Sequence, residues 1–310
     1  MKLALVTGGA GFIGSHLVEG LLARGVAVRV LDNFATGKRE NIAHVTDQIE
    51  LLEGDVRNLT TVRSAMRNVD VVFHEAALPS VERSVKNPLE SNEVNITGTV
   101  NILLAARDTN VPRVVFAASS AAYGNTAQLP KEESMTPEPL SPYAVSKIAG
   151  EQYAKIFQQL YGLSTVSLRY FNVFGPRQDP TTQYAGAIAK FISCALESKP
   201  YPVFGDGEQS RDFTYVSNVV DANLLAAEAQ LAGAPLMNIA YGKRATLNEI
   251  IGMLNELTHQ NLPAQYLPER AGDVRHSHAN LKRAQDILGY APKVDLLEGL
   301  RRTLEWYRKQ

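Results

Sequence analysis

This sequence of 310 residues contains one cysteine and one tryptophan, and its formal net charge is only −1. Its single cysteine, Cys194, excludes an intrachain disulfide and favours a reducing compartment such as the cytosol. The 31 basic residues nearly balance the 32 acidic residues, and no run of five like charges occurs. This balance argues against nucleic acid and against an anionic membrane surface as partners.

Long apolar runs are missing as well. No uncharged apolar stretch approaches the roughly 20 residues of a membrane helix. The N-terminal run Leu3–Val6 is shorter than the roughly 7–15 residues of a signal-peptide core. No metal site is expected, since no Cys, Asp or third His lies at suitable spacing from His276 and His278. We therefore expect a soluble cytoplasmic protein without a membrane or nucleic-acid partner.

Short apolar runs alternate with longer amphipathic segments over the first 170 residues. The short runs predict buried strands at Leu3–Val6, Val26–Leu31, Ile49–Leu52, Asp70–Phe73, Arg113–Ala117 and Ser164–Leu168. Helical periodicity predicts helices at Ile13–Arg24, Thr60–Arg67, Pro88–Asp108 and Tyr143–Tyr161. Such alternation is typical of an α/β protein whose parallel sheet is covered on both faces.

The alternation ends near residue 170, where turn-rich segments begin. An α+β arrangement is expected beyond that point, with helices near Thr246–Thr258, Asn280–Leu288 and Leu296–Arg308. The sequence thus predicts a first domain over residues 1–170, joined by a returning segment near 212–240, and a smaller ligand-binding domain over residues 171–310. A cleft between two such parts is a common place for a ligand.

Three glycines, Gly8, Gly11 and Gly14, join the first predicted strand to the first predicted helix. Glycine permits the tight turn and a close approach of the backbone to a pyrophosphate, which the helix N-terminus also attracts. Asp32 ends the second strand, where a carboxylate can bind the ribose hydroxyls of a dinucleotide. Because this carboxylate would repel a 2′-phosphate, the pattern favours NAD over NADP.

Tyr143 and Lys147 are spaced to lie on one face of a helix, and Ser141-Pro142 suggests that the helix begins there. A phenol has a pKa near 10, and a neighbouring ammonium favours the phenolate, which can then act as a base. Ser119 and Ser120 follow a predicted strand at the edge where ligands of parallel sheets gather. Either hydroxyl could hydrogen-bond the oxygen that loses its proton.

Together these motifs resemble the extended short-chain dehydrogenase/reductases and, within them, the UDP-glucose/UDP-N-acetylglucosamine 4-epimerase group. The similarity covers essentially the whole chain. It also includes Gly54-Asp55-Val56, His74-Glu75-Ala76-Ala77, Asn95, Arg169-Tyr170-Phe171-Asn172 and Arg211-Asp212-Phe213. The resemblance implies a Rossmann-type doubly wound parallel sheet with a smaller α+β domain that binds a nucleotide sugar, and NAD as the cofactor.

The resemblance also implies a mechanism. Tyr143 would take the proton from the sugar 4-hydroxyl while hydride passes from C4 to NAD, and Lys147 would also bind the nicotinamide ribose. The 4-keto sugar would then rotate and receive the hydride on its other face. Ser120 is the expected hydroxyl partner of the reacting oxygen, with Ser119 as the alternative, because the loop before Tyr123-Gly124 is one residue shorter than in the family.

Further contacts are implied by the same resemblance. Cofactor contacts are expected at Gly8, Gly11, Phe12, Ile13, Gly14, Asp32, Asn33, Asp55, Val56, Ala76, Asn95, Tyr143 and Lys147, with Asp55 and Val56 at the adenine. UDP-sugar contacts are expected at Ser80, Ser84, Asn172, Val203, Phe204, Arg211, Arg270 and Ser277. Within that set, Asn172, Arg211 and Arg270 would bind the diphosphate, for which arginine is well suited.

Two positions bear on the choice of reaction and of sugar. Related dehydratases and decarboxylases carry acidic residues where this chain has Ala121-Ala122, so an epimerase is favoured. Ser277 stands where strict UDP-glucose/galactose epimerases have tyrosine, which predicts room for an N-acetyl group. The alternatives are a UDP-glucuronate 4-epimerase or decarboxylase and a catalytically silent NAD-binding regulator. Relatives also imply a homodimer formed through the helices at Pro88–Asp108 and Tyr143–Tyr161.

Overall fold

The computed structural model describes residues 1–180, 186–269 and 274–310. Its strands are β1 (Leu3–Thr7), β2 (Ala27–Asp32), β3 (Ile49–Glu53), β4 (Val71–His74), β5 (Arg113–Ser119), β6 (Ser164–Tyr170), β7 (Val173–Phe174), β8 (Tyr201–Phe204), β9 (Ser210–Asp212), β10 (Thr214–Tyr215), β11 (Leu236–Ile239), β12 (Arg244–Thr246) and β13 (Ala264–Leu267). Its α-helices are α1 (Phe12–Leu22), α2 (Leu59–Ala65), α3 (Val81–Lys86), α4 (Pro88–Asn92), α5 (Gly98–Asp108), α6 (Pro142–Tyr161), α7 (Ala187–Leu196), α8 (Val216–Glu228), α9 (Leu247–Thr258), α10 (Lys282–Leu288) and α11 (Leu296–Tyr307).

Seven strands form one parallel sheet in the order β3-β2-β1-β4-β5-β6-β11. The order reverses between β1 and β4, which is the switch point where ligands bind at the carboxyl ends of the strands. The predicted Rossmann-type doubly wound fold is therefore confirmed.

Both faces of the sheet are buried, and alternate residues of β1 reach different cores. Ala4 and Val6 pack in the core under α1 and α8, whereas Leu5 packs in the core under α2 and α5. This follows from the strand period of two, which sends successive side chains to opposite faces. It explains why the strands read as continuous apolar runs in the sequence.

The chain returns to the sheet after leaving it near residue 170. Helix α8 packs against α1, and β11 pairs in parallel with β6 through Leu236–Ile239. A further core lies in the C-terminal part, where Phe191, Tyr201, Ile250 and Leu300 come from α7, β8, α9 and α11. The division into domains at residues 170 and 171 stays a prediction.

The helices and strands predicted from periodicity are present with their ends shifted by at most two residues, except for the segment Pro88–Asp108. That segment is not one α-helix, because a π-helical turn at Glu93–Thr97 separates α4 from α5. Such turns often lie near functional sites. None of the described helices is both long enough and apolar enough to cross a membrane.

A buried ion pair fixes α6 to the sheet. Arg169 of β6 donates to both carboxylate oxygens of Glu151, at 2.8 and 2.7 Å, and only 2% and 4% of these two side chains is exposed. The guanidinium also lies 4.6 Å from the centre of the Tyr123 ring. Because α6 carries Tyr143 and Lys147, this pair holds the helix of the predicted catalytic residues in place.

Replacing Arg169 alone should destabilise the protein strongly. The Arg169→Met variant leaves the Glu151 carboxylate buried without a cation, which typically costs about 3–5 kcal/mol. The double variant Glu151→Leu/Arg169→Met removes both charges and should recover most of this loss. Urea denaturation followed by circular dichroism measures both free energies of unfolding. A loss below roughly 1 kcal/mol in the single variant, as for a solvated surface pair, would contradict this account.

Candidate active site

The glycine-rich turn between β1 and α1 is packed too tightly for any side chain. A Cβ on Gly14 would lie 2.1 Å from the carbonyl oxygen of Gly8, and one on Gly8 would lie 2.8 Å from Cα of Ala76. Gly8 also has a φ of +70°, which favours glycine. Gly11 precedes α1 as its N-cap residue and has no side chain that could cap the helix. The first amides of α1 can therefore donate hydrogen bonds to a ligand.

This turn opens into a cavity of about 300 Å³ above the carboxyl ends of β1, β2, β4 and β5. The volume lies at the lower end of the range for small-molecule sites. Most of the predicted cofactor residues line it, namely Gly8, Gly11, Phe12, Ile13, Gly14, Asp32, Asn33, Val56, Ala76, Tyr143 and Lys147. An uncapped helix N-terminus, a tight glycine turn and a carboxylate at one cavity fit a dinucleotide.

The carboxylate of Asp32 is held by the backbone at the end of β2. It accepts hydrogen bonds from the amides of Ala10, at 2.9 Å, and Phe34, at 2.8 Å. Burial nevertheless raises the pKa of this carboxyl above its usual value. These two amides use only part of the accepting capacity of the carboxylate, which leaves it able to accept from ribose hydroxyls.

Asp55 has mainly protein partners. Its carboxylate accepts from Nδ2 of Asn33 at 2.8 Å and pairs with the Arg57 guanidinium at 2.6 Å. That hydrogen bond from Arg57 lowers the pKa of Asp55 to about 2. The side chain therefore fixes Asn33 at the edge of the cavity, while the neighbouring Val56 lines the cavity itself.

Asn95 does not reach the cavity as the sequence analysis expected. It is buried in the π-helical turn, where Oδ1 accepts from the amide of Leu78 at 2.8 Å. Its Nδ2 donates to the carbonyl of Leu78 at 3.3 Å and to Oγ of Ser146 at 3.0 Å. Asn95 thus ties the loop after β4 to α6, and its contact with the cofactor stays a prediction.

Ser84 and Ser80 also bond to the protein. Ser84 is buried, donates to the carbonyl of Val81 and accepts from the amide of Tyr143 at 3.0 Å. Ser80 accepts from the amide of Arg83 at 3.0 Å, as the N-cap of α3. The Ser84 hydroxyl fixes the backbone of Tyr143, and the sugar contacts expected of Ser80 and Ser84 stay predictions.

Tyr143 and Lys147 project from the first turns of α6, which begins at Ser141 and Pro142 as the sequence predicted. The Ser119 side chain lies beside the Tyr143 phenol and acts to lower its pKa. The Ser119 oxygen also accepts from the amide of Ala121 at 3.2 Å, which directs its hydroxyl proton away from that amide. This contact favours Ser119 over Ser120 as the hydroxyl that assists Tyr143.

Both groups are strongly affected by burial. Nζ of Lys147 donates to the carbonyl of Ala117 at 2.7 Å, and burial lowers the pKa of this ammonium to about 8. Burial raises the pKa of Tyr143 above its usual value near 10, against the lowering effect of the Ser119 hydrogen bond. The neighbouring ammonium was expected to lower the pKa of Tyr143. Burial outweighs this effect, because desolvation disfavours the phenolate.

Glu75 and Tyr170 line the same cavity, although the sequence analysis gave neither of them a role. Oη of Tyr170 donates to the Glu75 carboxylate at 2.7 Å. The available signal was the position of Glu75 directly after a fully buried strand, where the carboxyl end of β4 meets the switch point.

A second group of predicted residues meets beside β9. Nδ2 of Asn172 donates to Oγ of Ser277 at 3.0 Å, and the amide of Ser277 donates to the carbonyl of Ser210 at 3.0 Å. Arg211 follows Ser210 and donates to the carbonyl of Arg275 at 3.0 Å. Asn172, Arg211 and Ser277 are therefore brought together by this strand and the extended segment beside it.

The remaining predicted contacts have different outcomes. The Val203 side chain is fully buried in the C-terminal core, so only its backbone could contact a ligand, and the expected contact stays a prediction. Phe204 is half-buried and points to the other face of β8, as the strand period requires. Arg270 lies outside the described residues. Among the described residues, no group of three His, Cys, Asp or Glu side chains could hold a metal ion.

Known proteins match nearly the whole chain. The UDP-glucose 4-epimerase of Mycolicibacterium smegmatis is 37% identical over 311 residues, covering 99% of this chain and 98% of that protein. A UDP-N-acetylglucosamine 4-epimerase from Methanobrevibacter ruminantium, in complex with UDP-N-acetylmuramic acid, has a TM-score of 0.95 and 39% identity, with 99% and 98% covered. The UDP-glucose 4-epimerase of Thermus thermophilus, in complex with NAD, has a TM-score of 0.91 and 40% identity, with 99% of each chain covered.

These findings confirm the resemblance stated from the sequence and the prediction of NAD as the cofactor. The family model described as the NAD dependent epimerase/dehydratase family matches residues 4–240, which is well over half of the chain. The chain belongs to the NAD dependent epimerase/dehydratase family.

Proposed function

We propose that this protein is a UDP-hexose 4-epimerase that accepts UDP-GlcNAc and UDP-GalNAc together with UDP-Glc and UDP-Gal. The observation that carries the proposal is the position of Tyr143 and Lys147 at the cavity formed by the glycine turn and Asp32, with Ser119 beside Tyr143. The similarity to 4-epimerases of UDP-glucose and UDP-N-acetylglucosamine supports the same activity.

In this proposal Tyr143 removes the proton from the sugar 4-hydroxyl. It returns a proton to the same oxygen after the 4-keto sugar has rotated in the site. Bound NAD supplies the oxidation of the sugar C4 and its later reduction. The Lys147 ammonium stabilises the phenolate of Tyr143, and the Ser119 hydroxyl donates a hydrogen bond to it. Asp32 and the first turn of α1 hold the ribose and the pyrophosphate of the dinucleotide.

Two alanines next to this group support epimerisation over elimination or decarboxylation. Ala121 is half-buried and Ala122 fully buried, directly after Ser119 and Ser120. A methyl group can neither protonate a leaving hydroxyl nor remove a second proton. The 4-keto sugar therefore meets no further acid or base at these two positions and is reduced again.

Asn172, Arg211 and Ser277 form the proposed nucleotide-sugar half of the site. We assign Arg211 and Asn172, with Arg270, to the diphosphate, and Ser277 to the sugar. The small Ser277 side chain, in contact with Asn172 at 3.0 Å, leaves more room than a tyrosine there would. This difference in volume supports the acceptance of N-acetylated sugars.

A homodimer is part of the proposal, and exposed apolar side chains support it. On α6, Val145, Ile156 and Leu160 are 51%, 43% and 68% exposed, on the helix face opposite Lys147. On α4, which packs beside α6, Leu89 is 75% exposed. An apolar face of this extent typically marks an interface with another protein.

The activity is tested with purified protein incubated separately with UDP-GlcNAc, UDP-glucose and UDP-glucuronate, the products being resolved by NMR. We expect galacto-configured products from the first two. The Tyr143→Phe variant should keep bound NAD and lose about 10²–10⁴-fold of the turnover, because the general base is gone. Product from UDP-glucuronate alone, or release of carbon dioxide, would refute the proposal. Near-wild-type turnover of Tyr143→Phe would remove Tyr143 from the mechanism.

Substrate range should depend on the size of residue 277. The Ser277→Tyr variant is expected to lose turnover of UDP-GlcNAc at least about 10-fold more than turnover of UDP-glucose, since an N-acetyl group no longer fits. Ser277→Ala serves as the control for the lost hydroxyl and should keep both activities. Equal losses for the two substrates in Ser277→Tyr would show that this position does not select the sugar.

Oligomeric state is tested by light scattering at micromolar concentration. The wild type should have the mass of a dimer, and Leu160→Glu should be monomeric because a charge buried in an apolar interface is costly. Leu297→Glu is the matched control, since Leu297 is also exposed, at 44%, but lies on α11. A monomeric wild type would contradict the homodimer.

A further inference from the structure

Glu75 is a carboxyl group at the cavity that the proposed mechanism does not use. It lies directly after β4, lines the cavity together with Tyr143 and Lys147, and accepts a hydrogen bond from Tyr170 at 2.7 Å. Among the residues that the structure describes, the Glu75 carboxylate takes part in no ion pair. Its charge is therefore not neutralised by a direct ionic partner and affects the pKa values of Tyr143 and Lys147.

The hydrogen bonds behind Glu75 fix the direction of the Tyr170 hydroxyl. Nδ2 of Asn223, a fully buried residue of α8, donates to Oη of Tyr170 at 2.8 Å and to the carbonyl of Val219 at 2.9 Å. The carbonyl of Val219 can only accept, so it sets the orientation of the amide. Oη of Tyr170 lies 3.1 Å from Oδ1 of Asn223 but only 2.7 Å from the Glu75 carboxylate, so the shorter contact favours donation to Glu75, which stabilises the carboxylate form.

The other charged groups around Lys147 have partners or stay neutral. On the same helix, Glu151 is paired with Arg169 of β6 at 2.7 Å. His74 of β4 bonds to Oγ1 of Thr7, and burial lowers its pKa to about 3, so it is uncharged. The phenol of Tyr143 faces Ser119. Among the described residues, Glu75 is thus an anion without an ionic partner that acts on both Tyr143 and Lys147.

We propose that Glu75 is a positioning residue whose carboxylate, held by Tyr170 and Asn223, keeps Lys147 protonated and so sets the pH range in which Tyr143 and Lys147 work together. The proposal rests on the 4-epimerase function proposed above. In this proposal Glu75, the acidic residue of the His74-Glu75-Ala76-Ala77 motif, influences the reaction through Lys147 and Tyr143 and not through contact with the reacting sugar oxygen.

The expected sign follows from the charges. Burial raises the pKa of Glu75 to about 7, against the lowering effects of the Tyr170 hydrogen bond and of Lys147. Above that pH the carboxylate is charged, raises the pKa of Lys147 and also raises the pKa of Tyr143. Removing this charge lowers both values, so the acidic limb and the basic limb of the activity profile move to lower pH.

The first experiment compares the pH profiles of kcat for the wild type and for Glu75→Gln. Both limbs should shift to lower pH by roughly one unit, at the lower end of the effect of a charge within about 4–6 Å, while KM changes little. Tyr170→Phe keeps the carboxyl but removes its donor, so it should shift the profile in the same direction by less. Tyr290→Phe is the matched control and should cause no shift, because the Tyr290 hydroxyl, also buried, donates to the carbonyl of Ala240 instead.

A second measurement does not depend on turnover. Carbon-13 NMR of protein labelled at the glutamate carboxyls should show a resonance that titrates near pH 7 in the wild type and is missing in Glu75→Gln. In Tyr170→Phe the same resonance should titrate at higher pH. The wild type and Tyr170→Phe still answer the question if Glu75→Gln does not fold.

The outcomes separate the two proposals. A uniform loss of kcat at every pH in Glu75→Gln, or a Glu75 resonance that titrates at the ordinary value near 4.3, would overturn the role of Glu75. A wild type that titrates near pH 7 but epimerises none of the UDP-sugars would instead overturn the proposed function.

Discussion

The reversal of strand order between β1 and β4 is the constraint on which the site depends. All seven strands of the sheet are parallel, so their carboxyl ends lie at one edge. The connections leave this edge in opposite directions at the reversal, which opens a cavity that neither layer of helices covers. The glycine turn after β1, Asp32 at the end of β2 and Glu75 after β4 meet there, and Ser119 at the end of β5 lies beside Tyr143.

A second constraint is the burial of charge beneath α6. Lys147 and Glu151 lie one turn apart on the buried face of this helix, and Arg169 meets Glu151 from β6. Buried charges are costly unless paired or hydrogen-bonded, so each of them requires a partner with good geometry. These partners fix α6 and therefore the position of Tyr143 on it. The pKa values of Tyr143 and Lys147 remain sensitive to the charge of Glu75.

The proposed nucleotide-sugar half of the site depends on a different buried carboxylate. Asp212 accepts from the amides of Tyr241, Gly242 and Ala279, at 3.1–3.2 Å, and so ties two separate segments to the end of β9. Burial raises the pKa of this carboxyl to about 6. The segment that carries Ser277 is held against Asn172 by this arrangement, although the two residues are far apart in sequence.

The sequence by itself determined those features that depend on local geometry. Alternating apolar runs specified the strands, the spacing of Gly8, Gly11 and Gly14 specified a turn that excludes side chains, and Tyr143 and Lys147 had to share a helix face. Each of these depends on residues a few positions apart, and backbone periodicity is the same in every protein. The fold class and the cofactor could be predicted for that reason.

Only the tertiary structure decided where side chains from distant segments point. Asn95 and Ser84 turn to protein partners, and Val203 enters a core, because contacts absent from their own segments satisfy or cover them. Likewise, the contact with Tyr143 distinguishes Ser119 from Ser120, and Tyr170 selects the orientation of Glu75. Such choices are made by hydrogen bonds between residues tens of positions apart, and local spacing carries no information about them.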